Sequence, residues 1–259
     1  MPHEGGETVL LERQGPVTII TLNRPERRNA LTVQMCRELY DVTREVAASE
    51  ARVVILRGAG NDFCVGADIA GSGGESGSSP PTLEDLGSIH HAATLLHKMP
   101  QVTIAAIDGG CAGAGFGWAS ACDFRFATPE ARFSTAFLNV GVSGDMGLEW
   151  FLMRIVGPAR AREMLFFPQK LDGRQALEMD LVTRLFDRGD LHAQVLALAD
   201  QLCTSESFAL RMMKANCLSA EELAIGEFID IETARQIHCT NRPDMGARMA
   251  EAYRKSKGS

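Results

Sequence analysis

Two stretches of this chain each break from an apolar run into glycines, and together they limit the fold more than any other feature. They are RVVILRGAGNDFCVGAD (52–68) and VTIAAIDGGCAGAGFG (102–117). Each begins as a short buried strand and ends in a small-residue turn. In the first turn, Gly66 permits close backbone approach and leaves the Ala67 N–H free to point into a cleft. In the second, a helix of small residues begins near Gly113. The first amides of a helix lack internal partners and sit at its positive end, which makes the Ala114 N–H a donor. Converging donors at Ala67 and Ala114 would stabilise an oxyanion, by roughly 3–4 kcal/mol per donor. Taken singly, each turn is equally well read as an ordinary tight turn. The run GAGFG does not make a dinucleotide fingerprint, because Trp118 stands where the last glycine is needed.

The rest of the chain alternates strand and helix up to about residue 140, the pattern of an α/β fold. TVLLERQGPVTIITLNRP reads as a hairpin. Thr32 can cap a helix whose apolar face carries Val33, Cys36, Leu39, Val42 and Val46. DFRFAT and ARFST are short strands, and after Gly147 the pattern turns helical, with one more short strand at VTRLF. Amphipathic segments at 191–203, 205–217, 219–238 and 244–257 suggest a core over residues 1–195 and a helical region over 196–259. GSGGESGSSPP (71–81) cannot bury apolar area and reads as a surface loop, or as a lid beside a site.

A net charge of −7 argues against nucleic acid or an anionic membrane surface as a partner. Seven scattered cysteines without a CxxC pair read as reduced and mostly buried, and no metal motif is present. The start of the chain does not read as a signal peptide, and no apolar run reaches membrane-span length, so a cytoplasmic protein is expected.

FLNVGVSGDMGLEW (137–150) places one carboxylate, Asp145, among glycines. It is either a turn or cap aspartate, or the acid/base group of a site. Glu149 lies one helical turn further on and reads as a helix-start acid that could share the same face.

LNRPERRNAL, FCVGADI, AAIDGGCAGAGFG and FSTAFLNVGVSGDMG stand in an order and spacing that resemble the crotonase superfamily, the enoyl-CoA hydratase/isomerase family. RIVGPARAREMLFFPQKLDGRQALEMDLV looks like its next block, and the resemblance spans about residues 8 to 257. It implies a crotonase (ClpP-like) spiral of ββα units, a C-terminal helical trimerisation region, and a homotrimer or hexamer. It also implies an acyl-CoA thioester as substrate, with coenzyme A as part of that substrate and no separate cofactor. By the same resemblance Ala67 and Ala114 are the oxyanion-hole amides, Ala114 standing where a glycine is usual. Val65, Gly66, Asp68 and Ile69 match the segment that receives the adenine, and Arg28, beside Ala30, matches a basic position near the CoA phosphates. Gly113 belongs to the second turn, and Lys255 and Lys257 lie in a closing helix that approaches CoA in relatives.

The departures from the family pattern carry information. Family hydratases bear two glutamates, and Gly117 and Phe137 occupy those positions here. Neither residue can activate water or protonate carbon. Asp145 matches the aspartate of the family's isomerases, particularly the phenylacetate-pathway type, with Phe137 and Trp150 as an expected apolar wall. His90 offers a different pairing with Asp145. A 4-chlorobenzoyl-CoA dehalogenase has a histidine on the corresponding helix, so a dehalogenase- or hydrolase-like enzyme is an alternative. A catalytically degenerate acyl-CoA-binding protein is another.

Overall fold

The computed structural model describes residues 7–68 and 87–257. Ile69 and the 71–81 segment lie outside them. The chain divides into a larger unit, up to Thr204, and a smaller one from Ser205 onward.

The larger unit opens with β1 (Val9–Gln14) and β2 (Val17–Leu22), the expected hairpin, and then α1 (Val33–Ala47). β3 (Val53–Gly58), α2 (Ala92–Lys98), β4 (Val102–Ile107), β5 (Gly110–Ala112) and α3 (Gly113–Ser120) follow. Next come β6 (Phe124–Ala127), β7 (Arg132–Ser134), α4 (Leu148–Ile155) and α5 (Gly157–Phe166). The unit closes with β8 (Leu171–Asp172), α6 (Gly173–Glu178), β9 (Arg184–Leu185) and α7 (Leu191–Cys203).

The strands form two sheets. The larger has the order β1-β2-β3-β4-β6-β9, parallel except for the β1/β2 pair, and the smaller is β5-β7-β8. Every residue of β2 and of β4 is buried, as expected for strands covered on both faces. Alternation sorts the two faces. Ile20, Leu22, Val54, Leu56, Ala105 and Ile107 join the core beneath α1 to α4, while Ile19 and Ile55 face His192, Val195 and Leu196 of α7. Because α7 packs on β2, β3, β4 and β6, the expected division at 195/196 falls inside a helix of the larger unit.

A repeat emerges once single-residue bridges are counted. β4, β5 and α3 make one ββα turn, and β6, β7 and α4 make another. β3 is followed by a bridge from Cys64 to Cys111 and then by α2, and β2 is followed by a bridge from Leu31 to Ala67 and then by α1. The second strand of each turn therefore joins a common inner ladder just ahead of a helix.

Thr32 caps α1 by accepting the Met35 N–H at 3.2 Å, as the sequence suggests. The buried stripe of that helix is Met35, Cys36, Leu39, Thr43 and Val46. Val33 belongs to the first turn and is exposed, which corrects its placement on the core face. Cys36, Cys64, Cys111 and Cys122 are buried, and all seven cysteines are free thiols.

The smaller unit holds α8 (Ser207–Ala220), α9 (Ile225–Thr240) and α10 (Met245–Lys257). Glu206 caps α8 through the Ala209 N–H, and Arg235 ties α9 to α8 through Asn216 and Ser219. The α8/α9 break falls at 221–224, later than the sequence pattern indicates. α9 has no buried residue in the single chain, and Ile225, Ile229, Ile231 and Ile237 are exposed on it. No helix among the described residues is long and apolar enough to cross a membrane.

Candidate functional site

The inner ladder places the two glycine turns side by side. Cys64 N–H donates to Gly110 O at 2.9 Å, and Ala112 N–H returns to Cys64 O at 2.9 Å. On the other flank, Leu31 N–H donates to Gly66 O at 2.8 Å and Asp68 N–H to Leu31 O at 3.0 Å. Backbone alternation then turns the Ala67 N–H away from Leu31, toward the Gly113 side. It meets no acceptor among the described residues, and Ala67 is exposed. Gly66 has φ +90°, and a Cβ on it would stand 3.1 Å from Ala112 O and 3.8 Å from Gly113 Cα. Only glycine permits this spacing of the two turns. Ala114 is the second residue of α3, which has no side-chain cap, so its buried N–H has no partner within the helix.

Phe137 forms one wall. Its ring lies 3.6 Å from where a Cβ on Gly113 would be, and the residue is buried. It begins a 3-10 turn, Phe137–Val140, that leads the chain toward Asp145. Gly117 has a structural reason to be glycine: a Cβ there would stand 2.8 Å from Met146 Cβ and 3.0 Å from Met146 O. The 145–147 segment therefore lies directly on α3, in space that a side chain at 117 would need.

Asp145 is not a cap. α4 starts after Gly147 with no side-chain cap bond, and the turn is closed by the main chain, Leu148 N–H to Asp145 O at 3.2 Å. The Asp145 Oδ1 atom is buried without a hydrogen-bond partner among the described residues. Burial raises its pKa above the usual carboxylate value, and the charge of His90 opposes the rise. His90 lies in a 3-10 turn, Gly87–His91, just before α2. Cys36 of α1 and Cys64 of the inner ladder share this locale. Burial, reinforced by Asp145's charge, pushes both thiols up to about 12, so both stay neutral.

Glu149 joins the same site. It occupies the first turn of α4, yet its Oε1 is buried and unpartnered among the described residues. Its pKa is raised, by burial first and to a lesser extent by the charge of Asp145, against the lowering effect of a hydrogen bond from its own backbone N–H. The four-residue spacing was the available signal, but acidic residues at helix starts are too common for spacing alone to single it out. Trp150 keeps other company: its ring packs against His97 and Phe151, with the Arg154 guanidinium 3.6 Å above it.

The basic turn before Ala30 is built on two aspartates. Arg28, in left-handed backbone, grips Asp62 with two bonds of 2.9 Å, and its side chain remains 63% exposed. Asp62 also accepts the Gly110 N–H at 2.6 Å, which ties this turn to β5. The Arg28 hydrogen bond is the main cause holding Asp62 below the usual carboxylate range. Asp68 binds Arg24 at 3.0 Å and Arg27 at 2.7 Å, while Arg24 also donates to Ala30 O at 2.5 Å. Asn29, fully buried, was missed at the sequence level. It accepts from Arg24 N and donates to Ala59 O and Asp62 O, locking the turn. Val65 packs against Gly110. The side chains of Lys255 and Lys257 lie outside the described residues, and no group of His, Cys, Asp and Glu among the described residues is arranged to hold a metal ion.

Comparison with known proteins matches this arrangement to one family. A family model described as enoyl-CoA hydratase/isomerase matches residues 12–255. The mitochondrial Delta(3,5)-Delta(2,4)-dienoyl-CoA isomerase of Mus musculus is 31% identical, over 84% of this chain and 70% of that protein. The 1,2-epoxyphenylacetyl-CoA isomerase of Escherichia coli is 31% identical over 87% of each. Among solved structures, an enoyl-CoA hydratase candidate of Thermobifida fusca YX in complex with acetoacetyl-CoA superposes with a TM-score of 0.82 at 29% identity, covering 95% of this chain and 96% of that one.

Proposed function

The chain belongs to the enoyl-CoA hydratase/isomerase family, and within that family of acyl-CoA enzymes we propose that it shifts the double bond of an enoyl-CoA, with Asp145 as its single base. The observation that carries this reading is the half-buried Asp145 carboxyl, whose Oδ1 is enclosed without a hydrogen-bond partner among the described residues, in a site that has Gly117 and Phe137 in place of the hydratase glutamates.

The thioester carbonyl oxygen accepts the N–H groups of Ala67 and Ala114. Asp145 removes a proton from the acyl chain, and the electrons of that C–H bond move into the thioester enolate. Two main-chain donors then hold a full negative charge, a contribution of roughly 3–4 kcal/mol each. The carboxyl returns the proton to another carbon of the chain, and the double bond has moved. A raised pKa suits this role, because the carboxyl must take and release a proton with little bias near neutrality. Phe137 keeps one side of the cleft apolar. The CoA moiety lies along Val65, Gly66 and Asp68, the segment that Ile69 continues in the sequence, with Arg28, beside Ala30, facing its phosphates. CoA is part of the substrate, and the reaction draws on no further cofactor. The working assembly is a homotrimer or a dimer of trimers, in the cytoplasm.

Incubation with a 3-enoyl-CoA, followed by the absorbance of the conjugated product, tests the reading. Turnover is expected, and Asp145→Asn should lower kcat by about 10²–10⁴-fold. No turnover, alongside clear turnover by a control isomerase, overturns it. The influence of His90 on Asp145 favours one second reading, in which the Asp145 carboxylate attacks the thioester carbonyl and displaces the CoA thiolate, and His90 takes a proton from the water that then hydrolyses the adduct. That reading requires an acyl-aspartyl adduct detectable by mass. A catalytically degenerate acyl-CoA-binding protein would instead be indifferent to Asp145→Asn.

A further inference from the structure

Glu149 is a half-buried acid with an enclosed Oε1 that the single-base reading leaves without a task. Carboxylates in the first turn of a helix ordinarily reach solvent. Here the carboxyl folds back onto Gly144 so closely that a methyl group on that residue would collide with Oε1. Gly144, at φ +137°, takes a backbone shape that other residues rarely adopt. The residue after it is Asp145, and Glu149 Oε1 and Asp145 Oδ1 are both buried without hydrogen-bond partners among the described residues. Two neighbouring carboxyls partly withdrawn from water resist ionising together.

We propose that Asp145 and Glu149 form a carboxyl pair that holds one proton, with Glu149 as its resting holder and Asp145 as the ionised partner that meets substrate. The pair rests on the Asp145 reading above and adds a second acid to it. The groups facing it set the order. Burial raises both acids. On Glu149 the hydrogen bond from its own backbone N–H works against that rise and the charge of Asp145 adds to it, with a net upward shift, while His90, from the turn before α2, pulls Asp145 back. The Cys36 and Cys64 thiols facing Asp145 are neutral and add no charge. Arg154, on the next turn of α4, is occupied over Trp150.

The pair changes the proton inventory. At rest it carries one proton and one negative charge. When the substrate C–H bond breaks, its electrons stay in the enolate and its proton goes to Asp145, so the pair then holds two protons and no charge. Either proton can return to carbon, after which the resting state is restored. A lone carboxyl would hand back the proton it took.

Carboxyl titration by NMR of the full-length protein, with 13C-labelled aspartate and glutamate, tests the pair without relying on turnover. Glu149 is expected to titrate well above Asp145. In Asp145→Asn its midpoint should fall by about one pH unit or more, a tenfold change in proton affinity. A Glu149 midpoint unmoved in Asp145→Asn overturns the pair, even in a working isomerase. A coupled titration in a protein without isomerase activity leaves the pair intact and sinks only the reaction. As a second readout, substrate deuterated at the carbon that loses its hydrogen should return diluted label with the native protein. Label should be better retained with Glu149→Gln, and equal retention in both overturns the shuttle. If Glu149→Gln fails to fold, Glu149→Asp, which keeps an acid on a shorter stem, takes its place and should alter the dilution.

Discussion

At the scale of single residues, this site is defined as much by its absent side chains as by its acid. Gly117 reads in the sequence as a lost glutamate, but the structure makes it the seat of Met146. Restoring the carboxylate therefore does not restore hydration. Gly117→Glu is expected to push the 145–147 segment off α3 and destabilise the fold by about 1–3 kcal/mol. Denaturant titration measures that loss, and an enoyl-CoA hydration assay should stay negative. Asp145 carries the opposite tension between stability and activity. The unfolded chain releases its proton near the ordinary aspartate value of 3.8, while the folded chain holds it to higher pH. Folding therefore loses stability as pH rises from 3.8 through the raised native value, and at lower pH the penalty is absent. Asp145→Asn should be more thermally stable than the native protein at neutral pH, with a gap that closes toward pH 3.8. Melting curves across that range check it, and a native protein that melts higher at neutral pH contradicts a carboxyl whose charge is disfavoured by burial.

At the scale of elements, what the sequence makes legible depends on length. β3 and β4 announce themselves with apolar runs, and α1 with its cap and stripe. The inner ladder does not, because its members are β5 and β7, with three residues each, and single-residue bridges at Leu31, Cys64 and Ala67. Such segments are too short to show a period, so the sequence reveals where the chain turns but not that the turns pair. Asp145 was legible as a candidate through its glycine setting. Asn29 was not, because its partners are main-chain atoms, some from elsewhere in the chain, that no spacing encodes, and Glu149 offered only a four-residue spacing that ordinary helix-start acids share. Asp62 is the polar joint of this ladder, joining Arg28 to the Gly110 N–H. Arg28 holds the pKa of Asp62 below the ordinary aspartate value of 3.8, so its stabilisation is full above that pH and is lost as pH falls through the lowered native value. Asp62→Asn is expected to cost about 1 kcal/mol at neutral pH, modest because Arg28 is largely exposed. It should also reduce turnover by loosening the second turn. Stability and kcat measured on the same variant at pH 7 and near pH 3 separate these effects. A stability loss that persists unchanged at low pH would assign Asp62 a packing role.

At the scale of the whole molecule, the smaller unit poses a question that one chain does not answer by itself. A 16-residue helix with no buried residue is a poor folding element in water, yet α9 carries Ile225, Ile229, Ile231 and Ile237, all exposed. Burying a side chain of that size contributes roughly 1.5–3 kcal/mol, so four exposed isoleucines on one helix represent a large unmet driving force. The larger unit adds Phe166 and Phe167, exposed at 65% and 69% at the end of α5. Natural monomers rarely leave such apolar area in water, and self-association through a closed symmetry satisfies it without open-ended aggregation. This is the physical content of the trimer or hexamer proposed above. Light scattering of the purified protein should give three or six times the 28.0 kDa chain mass. Ile229→Lys with Ile237→Lys should shift the population toward the single chain and lower its melting point. A native protein that runs as a monomer at micromolar concentration, with these isoleucines tolerant of lysine, would mean that the exposed face has another use.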